Sequence, residues 1–512
     1  MRNASILKRG ISVLMVGALL FTACSNQKEN SSQAEKAEQT SQISSNTQNS
    51  QPVAKEEKLI NKNGGSRNQF KLDISLDHKN HKLKVSQKLY YYNNSNDTLD
   101  KIVYNMVPQA FSKNGGGVEV KDITVGKHQC KLEKVKETVY SMKLPAQLPA
   151  HEKVLIQMEY QVKIPNIKNR FGYQDKVYNL GNFIVTPAVY GEKGWAVQSY
   201  VDIGDAFYTD IADYEVAIKV PEGFVVAATG KEVSKGVYCA ESVRDFAFCA
   251  SSSFKTITEK EDNTDITVFY NDKMDKTAVH TMEVARKSLK LYSRLLGKYP
   301  YDTLSIVING LTGGVNGMEY PTLVMLSPDI NWDNYKSELG FDSEDSASAN
   351  FLENDNATCH EIAHQWFYGI VGNDQISEAW LDEGFCRFSE YLYQKEYESD
   401  YSQTAKQSGY MMKDRIDATL SCTKDNEKRD EGTDLGKSLY YWMETDPMGY
   451  GSIYDKGACL LYEMEQQMGE EQFQAALKGY VSTFAYSFVT SESFKEYWNS
   501  KANFNKLFDL YF

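Results

Sequence analysis

Apolar and polar positions alternate along the first half of the chain. The segments NQFKLDISLD (68–77), HKLKVSQKLYYYN (81–93), KVLIQMEYQVKI (153–164), DYEVAIKVPEG (213–223) and FVVAATG (224–230) carry apolar side chains at about every second position. A period of two puts those side chains on one face of an extended strand, so each segment predicts a half-buried strand. Polar and glycine-containing stretches between them predict turns. Residues 60–255 therefore read as an antiparallel β domain, a sandwich or saddle.

The period changes near residue 256. One further strand, ITVFYN (266–271), leads into a helix predicted over 277–297. Ala278, Met282, Ala285, Leu289, Tyr292 and Leu296 recur at alternating spacings of four and three, which is one helical face. Gly297 and Pro300 close it. LSIVING (304–310) and TLVMLSP (322–328) read as two strands around a glycine-rich turn, and from about 345 onward the pattern is helical. Residues 256–512 thus form a second, α+β domain, and the order of its lobes resembles a thermolysin-like catalytic domain.

Within it, residues 360–384 read HEIAHQWFYGIVGNDQISEAWLDEG. On a helix His360 and His364 share a face, so both imidazoles reach one metal ion. Glu361 falls beside the ion's open position, where a general base is needed. Trp366, Phe367 and Ile370 extend the apolar pattern, and Gly369, Gly372 and Asn373 supply a stop. A second helix is predicted over 378–396, with Trp380, Leu381, Phe385, Phe388 and Leu392 on its apolar stripe. The short connection makes the two helices neighbours, so Glu383 turns back toward the histidines as a third ligand. Two His and one carboxylate leave a tetrahedral zinc ion one open position, the pattern of a catalytic site with one Zn2+ per chain. Glu390 lies on nearly the same face as Glu383 and reads equally as a support for the ligands or as a packing residue.

The N-terminus adds an address. Arg2, Lys8 and Arg9 precede an apolar run from Ile11 to Ala23, too short to span a bilayer comfortably. The run LLFTAC resembles a bacterial lipoprotein signal, which implies removal of residues 1–23, lipidation of Cys24, and a protein held by its lipid at the outer face of a membrane of the bacterial cell envelope. Residues 24–59 are rich in Ser, Gln, Asn, Lys and Glu and are expected to be a disordered tether. Of the 8 cysteines, Cys239 and Cys249 fall in two predicted strands and could face one another; Cys359 and Cys386 read as packing residues. With 56 Lys and Arg against 69 Asp and Glu, a formal net charge of −13 and no basic stripe, nucleic acid is excluded as a partner.

Four motifs together resemble the aminopeptidase N family of zinc peptidases, which also includes leukotriene hydrolase: VNGMEYPTLV, HEIAHQW, WLDEGFCRFSEY and IYDKGACLLYEM. The resemblance spans roughly 65–512 and is stronger in the second half, although GDAFYTDIADYEVAIKVPEGFVVAATG in the first half is also family-like. It implies zinc held by His360, His364 and Glu383, with Glu361 as general base, and Tyr454 as hydrogen-bond donor to the oxyanion. It further implies Glu319 as anchor of the substrate's α-amine and Gly317 as the point where substrate backbone approaches. Residues 322–327 are then expected to offer an edge to that backbone. Tyr320 stands where the family usually has Asn, the stretch 329–350 reads as a surface insertion near the cleft, and the β half shows no obvious glutamine motif for the amine.

The expected protein is an α+β multidomain enzyme: an N-terminal antiparallel β sandwich or saddle, then a thermolysin-like zinc peptidase domain, with no large C-terminal helical domain and so a more open cleft. It would remove N-terminal residues from peptide substrates, as a monomer. The alternatives are a gluzincin endopeptidase without free-amine selectivity and a surface binding lipoprotein with a vestigial peptidase domain.

Overall fold

The computed structural model describes residues 66–309, 311, 316–328, 344–401, 403–406, 411–425 and 435–512. The expected leader, Cys24 and the tether lie outside the described residues.

The largest sheet has eight strands, in spatial order Lys231–Ser234, Val237–Val243, Ala212–Lys219, Asn68–Asp77, Lys82–Tyr92, Lys153–Lys163, Gly117–Val125 and His128–Gln129. Neighbours are antiparallel except Asn68–Asp77 against Ala212–Lys219, which run parallel. The alternation in sequence becomes alternation in burial: Leu72, Ile74, Val85, Leu89, Ile156 and Tyr160 are buried, while Asp73, Lys84 and Gln157 between them point out. Two four-stranded sheets supply the opposing layers, and Ile102, Tyr104, Met142 and Phe248 meet the large sheet in one core. The hairpin joining the first two strands is closed by Asp77, whose carboxylate accepts from Asn80 N at 3.2 Å and Asn80 Nδ2 at 2.8 Å.

Cys239 and Cys249 do not meet. Cys239 lies opposite Glu215 and Lys231 in the eight-stranded sheet, and Cys249 opposite Asn179 and Ala227 in a four-stranded one. Both are free thiols.

At Lys255 the chain enters a five-stranded sheet, ordered Lys255–Glu261, Thr264–Tyr270, Thr303–Ile308, Leu323–Leu326 and Gly317–Met318. The three inner strands are parallel, and helix α1 (Asp275–Leu296) makes the first crossover. Its six stripe residues are all buried, with Ala278 and Tyr292 fully enclosed. Leu323–Leu326 is not the sheet's edge: Gly317–Met318 folds back antiparallel onto Met325 and Leu326 and takes that place. A two-residue strand is too short to leave an alternating pattern in the sequence.

Helix α2 (Glu344–Ala363) packs on α1 and on the sheet, and α3 (Trp380–Glu396) packs on α2. The backbone is already helical at Glu344, so the expected insertion over 329–350 ends in helix; residues 329–343 lie outside the described residues. Helices α4 (Met412–Asp425) and α5 (Ser452–Met468) follow, and α5 lies along α3. The last two cross at two glycines: a Cβ on Gly384 would fall 2.8 Å from Gly457 Cα. Only residues without side chains allow this approach, and it sets Glu383 of α3 beside Tyr454 of α5.

Candidate metal centre and active site

The first histidine of HEIAH lies in the last turn of α2 and the second lies just beyond it. His364 N still bonds His360 O at 3.1 Å, but the α-helix ends at Ala363, earlier than the glycine stop signals predict. The chain then makes a tight turn, with Tyr368 N on Val371 O at 2.8 Å and Gly369 N on His364 O at 2.9 Å. One product of the turn is a carbonyl for the second histidine: Phe367 O lies 3.1 Å from His364 Nδ1. A proton on Nδ1 leaves the Nε2 lone pair free for a metal.

His360, His364 and Glu383 are all buried and come together. The two Nε2 atoms are 3.0 Å apart, and Glu383 Oε2 lies 3.4 Å from that of His360 and 3.3 Å from that of His364. Ligand atoms at zinc bond lengths of about 2.0–2.1 Å in a tetrahedral site are about 3.3 Å from one another, so the three atoms have the spacing of one face of such a site. Glu383 Oε2 is buried and makes no hydrogen bond, as a ligand oxygen would be. The donors, two nitrogens and one oxygen, suit zinc. Burial and the neighbouring His364 hold His360 well below the ordinary imidazole pKa, which keeps it neutral. Cys359 and Cys386 are buried next to these residues but outside the ligand group.

The other side chains of the site stand around this triangle. Glu361 is buried, and burial, together with Glu319, pushes its carboxyl well above the usual range. Gly317 is where its carboxylate rests, because a Cβ there would collide with Glu361. The other Glu383 oxygen, Oε1, accepts from the phenol of Tyr454, which also bonds the Tyr450 hydroxyl at 3.0 Å. Glu319 is 3% exposed, and burial followed by the nearby Asp205 pushes it up to about 8. Glu390 does not touch the ligands; it pairs with Arg387 inside α3, and Arg387 Nε reaches Asp455 of α5 at 3.0 Å.

Several residues of the site carry no signal in the sequence. Gln375, in the turn before α3, donates to Glu319 Oε1 at 3.2 Å and to Asp382 Oδ2 at 2.8 Å, so it orients the Glu319 carboxylate. Asp382 also accepts from Asn373 Nδ2 at 3.1 Å and from Glu383 N at 3.0 Å. Gln365, directly after the second histidine, accepts from Thr322 N at 2.7 Å and donates to Tyr320 O at 3.2 Å, tying the turn after α2 to the segment that leads into Leu323–Leu326. From the β domain come Arg170 and Asp205, an ion pair held where Gly204 (φ 58) packs on Tyr450. Tyr320, the departure from the family motif, bonds Asn182 of the β domain, and Asn182 donates to Asp245 at 2.7 Å.

A HExxH pair and a glutamate from the following helix, set against a mixed sheet, could together hold one metal ion. Residues 280–511 match the Peptidase family M1 domain. The chain is 29% identical over 214 residues to Aminopeptidase M1-D of Oryza sativa subsp. japonica, covering 41% of this chain and 22% of the rice protein. It is 24% identical over 233 residues to Leukotriene A-4 hydrolase of Xenopus laevis, covering 45% and 34%. The chain therefore spans a fifth to a third of these relatives' own lengths. The M1 zinc metallopeptidase of Deinococcus radiodurans shares the fold over far more of the chain, with a TM-score of 0.57 at 14% identity over 87% of this chain and 92% of that one. A mutant form of that enzyme, solved with a Tyr-Ser-Ala substrate bound, gives 0.56 at 15% identity over the same shares.

Proposed function

We propose that this protein is a zinc-dependent aminopeptidase that removes N-terminal residues from peptides. The observation that carries the reading is a cluster of buried carboxyl groups around the two histidines, crowded enough that their ionisation is disfavoured. Glu319, Glu361, Glu383 and Asp382 are all buried and all raised, and Asp205 stands near them. Such a cluster ionises readily only with cations beside it. One is the ion between His360, His364 and Glu383. The other is a substrate ammonium at Glu319.

Bound at those ligands, zinc supplies Lewis-acid polarisation of the scissile carbonyl and acidification of water. Glu361 takes the water's proton and delivers it to the leaving amine. Tyr454 donates its phenol hydrogen to the developing oxyanion. Glu319, aligned by Gln375, accepts from the substrate's α-ammonium, and a blocked amine leaves that carboxylate without its cation. The Gly317–Met318 edge is where substrate backbone pairs.

The test is a panel of amino-acid amides, each with its amine free and blocked, assayed before and after chelation with zinc add-back. Chelator-sensitive cleavage of free-amine substrates alone is expected. Equal cleavage of blocked substrates would establish an endopeptidase instead. We further propose that the protein acts at the outer face of the bacterial cell envelope, lipidated at Cys24; the basic and apolar run before that residue supports this. Cys24→Ser is expected to abolish lipid labelling and move the protein out of the membrane fraction; unchanged labelling would refute the anchor.

A further inference from the structure

We propose that Arg244, carried by the β domain, is a positioning residue for His364, so that the β domain completes the metal centre; this rests on the reading of His360, His364 and Glu383 as a zinc site. Arg244 follows the strand Val237–Val243, is 1% exposed, and inserts into the catalytic domain. Its Nε donates to Tyr368 O at 2.6 Å, and its Nη2 donates to Ser487 O at 2.7 Å and Ile370 O at 3.4 Å. Its Nη1 donates to Thr209 O at 3.2 Å on its own side, and the guanidinium lies over the Phe488 ring at 4.6 Å. Three carbonyls of the catalytic domain thus point their negative ends at one place. Only a planar cation with several donors satisfies them there, out of water.

What those carbonyls belong to gives the arrangement its consequence. Tyr368 has φ 91, a backbone state that L side chains rarely adopt. That torsion joins the peptide carrying Phe367 O to the Cα that leads on to Tyr368 O. Arg244 on Tyr368 O and the Tyr368 N bond to Val371 O at 2.8 Å hold this residue from its two sides, and Phe367 O, in the peptide that carries Tyr368 N, is the acceptor that sets the tautomer and direction of His364. Gly372 leaves room for the device, because a Cβ there would land on the Arg244 guanidinium. Release of the clamp lets the Tyr368 torsion relax, swings Phe367 O, and frees His364 to turn or to shift its proton.

The test uses the full chain and two variants that remove the clamp from opposite sides, Arg244→Met and Gly372→Ala. Zinc affinity is measured by competition with a chelator, and ligand geometry by the visible spectrum of the cobalt-loaded protein. Each variant is expected to bind zinc about 10- to 100-fold more weakly with an altered cobalt spectrum. The double variant should be no weaker than the weaker single one, because both remove the same contact. Tyr301→Phe deletes another bond across the same interface, Tyr301 to Ser242 O at 2.8 Å, and is expected to keep wild-type affinity. Should Arg244→Met not fold, Gly372→Ala alone carries the same comparison. Wild-type affinity and spectrum in the clamp variants would overturn the proposal, as would an equal loss in Tyr301→Phe. A wild-type chain that binds no zinc, or binds it unchanged with His364→Ala, would instead overturn the zinc reading itself.

Discussion

At the scale of single residues, the site is a division of labour among buried carboxylates. Glu383 turns one oxygen to the imidazoles and the other to Tyr454, while Glu361 rests in the space that Gly317 leaves open. Glu361→Gln keeps the shape and removes the base, so kcat is expected to fall about 10²- to 10⁴-fold with zinc stoichiometry unchanged. Glu319→Gln should act differently, lowering kcat/KM for free-amine substrates about 10- to 100-fold, the worth of a hydrogen bond to a charged group. Zinc stoichiometry should stay unchanged, and a wild-type kcat/KM on free-amine substrates would remove Glu319 from amine recognition. Asp245 supplies a pH effect away from the metal. Burial raises its carboxyl to about 7, so the folded state holds this proton more tightly than the unfolded chain does. Its contribution to stability is complete below about pH 4 and is lost as pH rises through about 7. Asp245→Asn should therefore flatten the decline in denaturation midpoint between pH 5 and 8 and stabilise the protein at pH 8. An unchanged slope would show that Asp245 does not titrate in that range.

At the scale of elements, α3 and α5 bring together Glu383, the proposed ligand, and Tyr454, the proposed oxyanion donor. Their crossing at Gly384 and Gly457 has no room for a side chain, and Arg387 ties the helices together through Asp455 one turn along. Gly384→Ala places a methyl group against backbone, so the helices must part. A loss of about 1–3 kcal/mol in stability is expected, read as a lower denaturant midpoint at constant m-value, together with a lower kcat as Tyr454 moves from Glu383. Full activity in this variant would show that the helix separation is not critical. The elements also mark where sequence pattern stops being informative. The strands at 68–77, 82–92 and 153–163 and the stripe of α1 were legible because one buried face repeats with the element's own period. The early end of α2 was not. The glycines at 369 and 372 read as a stop, but the helix yields at Ala363, where Phe367 O serves His364 and Arg244 draws the following carbonyls away. The strand expected to be an edge failed for a similar reason, since two residues, Gly317 and Met318, cover it.

At the scale of the whole molecule, the metal centre is shared between the two domains. The second domain provides His360, His364 and Glu383, the proposed ligands, while Arg170, Asp205, Asn182 and Arg244 of the β domain reach the site or the turn behind it. Metal binding should then stabilise the complete fold. Free zinc at 100 times Kd adds about 2.7 kcal/mol, so chelation is expected to lower Tm and zinc add-back to restore it in one cooperative transition that includes the β domain. Two separated transitions, with only one responding to zinc, would argue against coupling.

The sequence by itself determined the parts whose information is local. Helical spacing placed His360, Glu361 and His364 on one face, a short connection returned Glu383 to them, and the resemblance of four motifs attached roles to Glu319, Gly317 and Tyr454. Alternation located the β domain without any motif. Tertiary structure alone decided what fills the space between those parts. Gln375 aligning Glu319, Asp205 entering a carboxylate cluster, and Arg244 gathering three carbonyls depend on contacts between residues as much as 243 positions apart. Such contacts leave no period or spacing in the chain, because a buried polar group needs a partner in space and nothing requires that partner to be near in sequence.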